Sequence, residues 1–418
     1  MNSKFNPFRP GTIVTPGMFS GRINELLTLE KALLQTKNGN PFHFLIHGER
    51  GIGKSSLLSY LQFIASGALE SISCGKFHFL TVSIELEPTN TYEDIIQKVG
   101  AELQRAVASH QQVKELAKGA WEFLKCWEIM GVKYSGTSKE TKPHALLETL
   151  SHSISQVATN IKEEFDGVLI LIDEADKPNV NAHLGEFVKI LTERLSKRSC
   201  NNVALGVTGL PTVLEKLHKS HESASRIFTV LPLEPLLPDE RIDVIRKGLQ
   251  SANEKNNIQT SILPDAENWI AMFSEGYPHF IQQFGFCAFD SDSDNEISVE
   301  DVINGAFAEN GAFQQLGVKY FHDQYFNQID SDEYRLVLHV MSARMDEWIK
   351  KSELRKETNL KESTLGNAIN ALKSRHIIVS RPGTKGEYRL PYKGFAVWIR
   401  SYTQAKAAIS AQEKPIEP

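Results

Sequence analysis

The chain has 418 residues, which is long enough for two or three domains with buried cores. Hydrophobic residues make up 41 %, charged residues make up 23 % and the net charge is −5, a composition that excludes an intrinsically disordered chain. Four widely separated cysteines exclude a disulfide framework and a zinc ribbon, and the lack of a signal-peptide core or an apolar run of about 18 residues predicts a cytoplasmic protein with no membrane partner.

The first predicted strand, HFLI, is followed by GERGIGKS, which matches the pattern G-x-x-x-x-G-K-[ST]. Glycines allow backbone N–H groups to surround phosphate oxygens, and the helix that follows directs its positive N-terminal end to the same anion. We therefore predict an ATP-binding loop in which Lys54 contacts the β and γ phosphates and Ser55 binds Mg²⁺. The residues predicted to bind the nucleotide in this loop are Gly48, Glu49, Arg50, Gly51, Ile52, Gly53, Lys54, Ser55 and Ser56.

Residues 103–148 separate two predicted core strands and include the β-like run EFLKCWEIMGVKYSG in helical surroundings. We interpret this segment as an insertion into the nucleotide-binding domain. The sequence leaves open whether the insertion contacts nucleic acid or a neighbouring subunit, or packs passively on the core.

A second buried strand, at residues 168–172, ends at two acidic residues in the sequence DGVLILIDEADK. A continuous apolar run is typical of a parallel strand, and the carboxyl ends of such strands form the ligand-binding edge of an open α/β sheet. We predict that Asp173 binds Mg²⁺ and that Glu174 deprotonates the attacking water. The letters D-E-A-D also occur in helicases, but the chain has no S-A-T triplet and a helicase core leaves its C-terminal third unexplained.

Further along the chain, NVALGVTGLPTV predicts another buried strand, which ends at Thr208, and residues 239–289 contain two stretches with apolar residues at helical spacing. The acidic segment that follows is only loosely similar to an EF-hand loop, because Asn295 replaces the turn glycine and Asp301 replaces the bidentate glutamate. We therefore interpret it as a connection in which Ser298 caps the next helix.

The C-terminal segment, residues 329–402, contains three predicted helices followed by two short strands around a Pro-Gly-Thr-Lys-Gly turn, a pattern that predicts a winged helix. It is also the basic end of the chain, with 14 Lys or Arg against 8 Asp or Glu in residues 331–400. Such a module binds either duplex DNA or a protein partner, and we favour DNA. The predicted DNA contacts are Lys350, Lys351, Lys361, Thr364, Asn367, Asn370, Arg381 and Lys385.

With both nucleotide motifs placed, the chain resembles an AAA+ P-loop ATPase of the origin-recognition initiator type and is also similar to STAND signalling ATPases. The resemblance covers roughly residues 16–400 and rests further on the sequences MFSGRINELLTLEKAL, SASRIFTVLPLEPL and GYPHFIQQF. It implies an α/β fold, with a P-loop α/β/α parallel-sheet ATPase domain, a helical lid and a winged helix. We place these domains at residues 1–232, 233–328 and 329–402, with a flexible tail at 403–418.

The resemblance also implies roles for individual residues. Phe19 and Arg22 would line the adenine, and Thr208 would lie beside the γ-phosphate. Arg226 would be an arginine finger that acts on a neighbouring subunit, which implies a homo-oligomer in the ATP-bound state. His279 falls where initiators carry arginine and STAND proteins a glycine and proline, so the sequence leaves open whether the lid supplies a permanent charge.

These features predict a slow ATPase that acts as a molecular switch, in which the nucleotide state controls assembly and the engagement of DNA or another partner through the winged helix. Two alternatives remain from the sequence. One is a STAND-like signalling or defence ATPase that uses its C-terminal module for protein docking. The other is a DNA-bound, ATP-dependent adaptor or transposition-type regulator that needs ATP only to assemble.

Overall fold

The computed structural model describes residues 4–14, 16–116, 143–345, 347–381 and 383–400. The chain divides into two compact units, one formed by residues 13–234 and the other by residues 1–12 together with 235–418. The β-like run predicted within the insertion lies outside the described residues. No helix in the described part of the chain is both long and apolar enough to cross a membrane.

A five-stranded parallel sheet forms the centre of the unit at residues 13–234. Its strands are β1 (His43–His47), β2 (Phe79–Glu85), β3 (Gly167–Asp173), β4 (Val203–Gly209) and β5 (Phe228–Pro232), in the spatial order β2-β3-β4-β1-β5. Strands β3 and β4 are buried along almost their whole length, as expected for parallel strands that are covered on both faces. Because the strands are parallel, the residues that follow their carboxyl ends meet at one edge of the sheet.

Seven helices of the described residues flank this sheet. They are α1 (Ile23–Lys37), α2 (Lys54–Ala65), α3 (Tyr92–Ser109), α4 (Gln111–Leu116), α5 (Pro143–Asn160), α6 (Leu184–Lys197) and α7 (Val213–Ser220). The described ends of the predicted insertion, residues 103–116 and 143–148, are helical. Leu103, Val107 and Leu147 are fully buried and belong to the hydrophobic core of the sheet. The parts of the insertion that the structure describes are therefore core helices.

The second unit begins with helices and a short two-stranded ribbon. These elements are α8 (Pro238–Asn253), β6 (Ser261–Ile262), α9 (Pro264–Phe273), α10 (Pro278–Ser291), β7 (Glu296–Ile297), α11 (Val299–Phe307) and α12 (Ala312–Leu316), followed by π-helical turns at Gly317–Phe321 and Asp323–Asn327. The predicted cap at Ser298 is confirmed, because its Oγ accepts a hydrogen bond from the Asp301 N–H and the Asp301 carboxylate accepts one from the Ser298 N–H at 2.8 Å.

The first twelve residues, which we assigned from the sequence to the nucleotide-binding domain, belong to this second unit. A Cβ placed on either Gly248 or Gly285 would lie 2.7 Å from the ring of Phe8, so both glycines are needed for this close packing. Lys4 forms an ion pair of 2.9 Å with Asp292. The N-terminal segment is thus fixed to α8 and α10 by packing and by charge.

The same unit ends in a module of three helices and a small antiparallel sheet, which we call the C-terminal module (residues 332–389). Its elements are α13 (Asp332–Ala343), β8 (Ile349–Lys350), α14 (Lys351–Thr358), α15 (Glu362–Ser374), β9 (Val379–Ser380) and β10 (Glu387–Arg389), with the sheet order β8-β10-β9. The three helices and the two last strands occur in the predicted order. Strand β8 is an addition that the sequence pattern did not indicate.

An aromatic cluster joins the predicted lid to the chain that follows the C-terminal module. The ring centroid of Phe321 lies 5.0 Å from that of Phe395 and 6.0 Å from that of Trp398, within the helix at residues 393–400. A Cβ on Gly317 would lie 2.0 Å from the indole nitrogen of Trp398, so only glycine fits there. The segments predicted as separate lid and winged-helix domains are therefore parts of one compact unit.

Stability of the sheet should depend on pH through His43. Its Nδ1 accepts a hydrogen bond of 3.1 Å from the backbone N–H of Leu205, and burial lowers its pKa to about 4. Between an unfolded pKa of about 6.5 and the folded value of about 4, the unfolded chain binds the extra proton, so stability falls as the pH falls. When the pH falls from about 7 to about 5, the free energy of unfolding of the parent should decrease by about 2 kcal/mol more than that of His43→Gln. Urea unfolding at both pH values measures this, and equal losses would contradict it.

Candidate active site

The predicted phosphate-binding loop connects β1 to α2. Gly51 and Gly53 have φ angles of 79° and 99°, which only glycine adopts readily, so the path of the loop requires them. A Cβ on Gly48 would lie 2.9 Å from the Ile52 side chain and 3.0 Å from the Leu233 carbonyl oxygen. The glycines leave the loop backbone without covering side chains. The loop lies directly before the positive N-terminal end of the α2 dipole, an arrangement that suits an anion.

Lys54 is the first residue of α2, and its ammonium group lies over the phosphate-binding loop. Its Nζ donates hydrogen bonds to the carbonyl oxygens of Gly48 at 2.8 Å and Glu49 at 3.0 Å. Burial lowers the pKa of Lys54, while the nearby carboxylates, Glu174 foremost, act in the opposite direction. A partly desolvated cation with only neutral carbonyl contacts can exchange them for stronger contacts with phosphate oxygens.

Three of the predicted site residues meet at Asp173, the last residue of β3. Ser55 Oγ donates a hydrogen bond to Asp173 Oδ2 at 2.9 Å, and Thr208 Oγ1 donates one to Asp173 Oδ1. Thr208 is fully buried on β4, the strand that pairs with β3. Hydroxyl and carboxylate oxygens are the ligands that Mg²⁺ prefers, so Ser55 and Asp173 fit this ion chemically.

Glu174 follows in a left-handed conformation with φ 54°, which is rare for a residue other than glycine. Its backbone N–H donates to Asp173 Oδ1 at 2.8 Å, and its side chain is about one-third exposed. Burial raises the pKa of Glu174, and the positive charge of Lys177 partly offsets this rise. A carboxylate whose pKa is shifted upward is a stronger proton acceptor, as a general base should be.

Two residues that the sequence analysis did not name also belong to this edge of the sheet. Lys177 Nζ donates to Glu85 Oε1 at 3.0 Å and lies 3.8 Å from Glu174 Oε1. Glu85 ends β2 and stands beside Asp173 in the sheet register. A polar residue at the carboxyl end of an apolar strand was the signal that identified Asp173, and the same signal could have identified Glu85.

The residues upstream of α1 contact the loop and α2. Arg22, only 6 % exposed, adopts φ 62° and donates through Nη2 to the Ile52 carbonyl oxygen at 3.0 Å. Its Nη1 lies 3.3 Å from Glu25 Oε1. Phe19 stacks on Tyr60 of α2 with ring centroids 4.5 Å apart. Arg22 therefore holds the phosphate-binding loop through the Ile52 carbonyl group. The contact of Phe19 and Arg22 with adenine stays a prediction.

The roles predicted for Arg226 and His279 rest on the resemblance alone. Arg226 is exposed in a 3₁₀ turn, Ala224–Ile227, just before the edge strand β5, and its side chain makes no hydrogen bond or ion pair with the described residues. His279 is the second residue of α10 in the other unit, where its ring centroid lies 5.2 Å from that of Tyr320. Their predicted roles stay predictions.

Comparisons with known proteins bear on the family and on the fold. Residues 19–205 match the family model described as an AAA ATPase domain. The fold is similar to that of the ORC2 protein of Aeropyrum pernix in its ADPNP-ADP complexes, with a TM-score of 0.56 and 13 % identity over 97 % of this chain and 99 % of that chain. It is also similar to a Walker-type ATPase of Pyrococcus abyssi, with a TM-score of 0.55 and 15 % identity over 91 % and 96 % of the two chains.

A relative in Methanocaldococcus jannaschii is called an uncharacterized HTH-type transcriptional regulator. It is 23 % identical over 258 residues, which cover 60 % of this chain and 58 % of the relative. The chain thus spans little more than half the length of that relative. The family match covers the loop and the two acidic residues at the end of β3, and the structural matches cover the fold of nearly the whole chain. Residues 19–205 therefore match the AAA ATPase domain model, within an α/β fold similar to that of the ORC2 protein of Aeropyrum pernix.

Proposed function

We propose that this protein is an ATP-dependent switch that binds and slowly hydrolyses ATP and couples its nucleotide state to assembly and to DNA binding. The observation that carries the proposal is the cluster at Asp173, which accepts hydrogen bonds from Ser55 and Thr208 beside Lys54 and Glu174. This cluster lies at the carboxyl edge of a parallel sheet, directly after a glycine loop, where α/β proteins bind nucleotides.

Each residue of the cluster has a separate task in the proposed hydrolysis. Lys54 contacts the β and γ phosphates, and Ser55 and Asp173 hold Mg²⁺, which when bound neutralises phosphate charge. Glu174 takes a proton from the water that attacks the γ-phosphorus, and the bond to the ADP oxygen breaks. Thr208, whose hydroxyl donates to Asp173 Oδ1, lies beside the γ-phosphate in this proposal.

Phosphate release and solution mass test this proposal on the intact protein. With ATP and Mg²⁺ we expect slow release of phosphate, and we expect a larger assembly with ATP than with ADP or without nucleotide. A folded protein that binds no ATP would refute the proposed site. If the protein binds ATP but releases no phosphate, the proposed hydrolysis is wrong, and the remaining interpretation is an assembly factor that needs ATP only to assemble.

Arg226→Ala should reduce turnover without weakening ATP affinity, because a finger stabilises charge at the site of a neighbouring subunit. The loss should be about 10³-fold or more. Mixing this variant with Glu174→Gln should restore activity that neither has alone, since the second variant supplies an intact finger to the first. Lys219→Ala, a nearby exposed cation paired with Glu215, serves as the control and should change neither quantity. A turnover number that does not depend on protein concentration would count against the finger.

The C-terminal module is the proposed DNA-binding part. Its three helices and antiparallel sheet support a winged helix, with α15 as the recognition helix and residues 381–386 as the wing. Lys361, Asn367 and Asn370 are exposed at or along α15, while Thr364 is half-buried. The name of the Methanocaldococcus jannaschii relative, an HTH-type transcriptional regulator, also favours DNA.

Neutralising Lys350, Lys361 or Lys385 in the intact protein should weaken duplex binding by a similar factor for every DNA sequence. Each lysine that contacts a phosphate contributes about 0.9 to the slope of log affinity against log salt, so each substitution should lower the slope by that amount. Asn367→Ala should instead alter sequence preference, because asparagine reads adenine edges. Fluorescence anisotropy with ATP present measures both quantities. Unchanged slopes, or no binding by the parent, would favour protein docking.

A further inference from the structure

The cations of the C-terminal module fall into two groups. Arg335 and Arg344 pair with carboxylates of α13 and α14. Three more cations, toward α15 and β10, are also paired: Lys351 Nζ lies 2.6 Å from Glu362 Oε1, Arg355 Nη1 lies 3.2 Å from Glu362 Oε2, and Arg381 Nη1 lies 2.8 Å from Glu387 Oε2. The other predicted contacts, Lys350, Lys361 and Lys385, are exposed and make no ion pair with the described residues. The charge count of the sequence therefore overstates the positive charge that this surface offers to a polyanion.

Glu362 has a central position in this surface. It is the first residue of α15, and its two carboxylate oxygens contact cations from two different turns of α14. The hydrogen bond from Lys351 holds the pKa of Glu362 below its usual range, so the carboxylate is ionised at neutral pH. An ionised carboxylate that bridges two cations at the start of a proposed recognition helix lies where a DNA phosphate would otherwise be attracted.

We propose that Glu362, together with Glu387 at the start of β10, limits the affinity of the C-terminal module for duplex DNA by forming ion pairs with Lys351, Arg355 and Arg381. This inference rests on the proposed function of the module as a DNA-binding element. A cation must lose its carboxylate partner before it can contact a phosphate, and a cation that stays paired neutralises no phosphate and releases no counterion from the DNA. Exposed ion pairs are weak, so such pairs compete with DNA without preventing its binding.

The test is a salt titration of duplex binding by the full chain with ATP present. Glu362→Gln frees two cations, so we expect its slope of log affinity against log salt to be steeper than that of the parent by about 1.8. Between about 50 and about 200 mM salt, the variant should then lose about ten times more affinity than the parent does. Glu387→Gln frees one cation and should steepen the slope by about 0.9.

Two controls separate released cations from a simple loss of negative charge. Glu333→Gln makes the same change of charge on α13, where the exposed carboxylate has no ion-pair partner among the described residues, and it should leave the slope unchanged. Lys351→Met should leave the slope of the parent unchanged but lower that of Glu362→Gln by about 0.9. Only variants with thermal midpoints equal to that of the parent are compared, so that unfolding does not affect the measured slopes.

If Glu362→Gln, Glu333→Gln and the parent all bind DNA with the same slope, this inference is wrong while the DNA-binding function stands. If none of the variants binds DNA at any salt concentration, both the inference and the proposed role of the module in DNA binding are wrong. A slope that steepens only in Glu362→Gln and Glu387→Gln, and steepens by about half as much in the double variant of Glu362→Gln with Lys351→Met, is the result that supports the inference.

Discussion

Lys54→Ala should abolish ATP binding by an otherwise folded protein. Among the described residues the Lys54 ammonium group donates hydrogen bonds to loop carbonyl oxygens, so its removal takes away the cation predicted to contact the β and γ phosphates without breaking a buried ion pair. Two charge-assisted hydrogen bonds to phosphate, at about 1.5–3 kcal/mol each, correspond to an affinity loss of roughly 10²- to 10⁴-fold. Isothermal titration with ATP and Mg²⁺ measures the change.

Two further variants show whether the effect comes from the charge at this position. Lys54→Met keeps the aliphatic stem and should lose affinity as Lys54→Ala does. Lys76→Ala removes an exposed lysine elsewhere in the same unit and should bind ATP as the parent does. Tight ATP binding by Lys54→Ala with an unchanged far-UV spectrum would show that the loop between β1 and α2 is not the nucleotide site.

Glu174→Gln should keep ATP binding and lose hydrolysis by about 10²- to 10⁴-fold. The amide keeps the size of the carboxylate but cannot accept the proton of the attacking water. The left-handed backbone at Glu174 and its hydrogen bond to Asp173 do not depend on the side-chain charge, so the fold of the edge should be retained. Single-turnover phosphate release and ATP titration together measure the two properties.

The trapped ATP state of this variant should also favour assembly, which light scattering can follow. Glu163→Gln, an exposed residue in the turn after α5, is the matched control and should hydrolyse ATP at the parent rate. Hydrolysis by Glu174→Gln at the parent rate would mean that another carboxylate is the base. Glu85, which shares Lys177 with Glu174, would then be the first residue to test.

Local patterns explain which parts of the site could be predicted. The glycine loop, Lys54 and Ser55 lie within one short stretch, and Asp173 and Glu174 directly follow an apolar run. Each of these signals depends on residues that are neighbours in sequence, and parallel strand order then brings them to one edge. The parallel sheet follows from such local information and is confirmed, and residues 19–205 match the AAA ATPase domain model that the same local motifs indicate.

Contacts between distant segments explain what the sequence could not predict. Lys177 meets Glu85 only because β2 and β3 are neighbours in the sheet, and strand order is not encoded near either residue. The same holds for Phe8, whose contacts are glycines more than 200 residues away. Charge counts along the C-terminal segment are also local, and they do not reveal which cations already have carboxylate partners.

The aromatic cluster around Phe321 determines how long a segment must be exchanged as one unit in a chimera. A chimera joined near residue 329 would separate Phe321 from Phe395 and Trp398, and it would leave large aromatic surfaces in water. A recombinant with a residue smaller than tryptophan at position 398 would have a cavity beside Gly317, which accommodates the Trp398 indole. The segment to transfer as a unit is therefore residues 235–400, together with Phe8 and its neighbours.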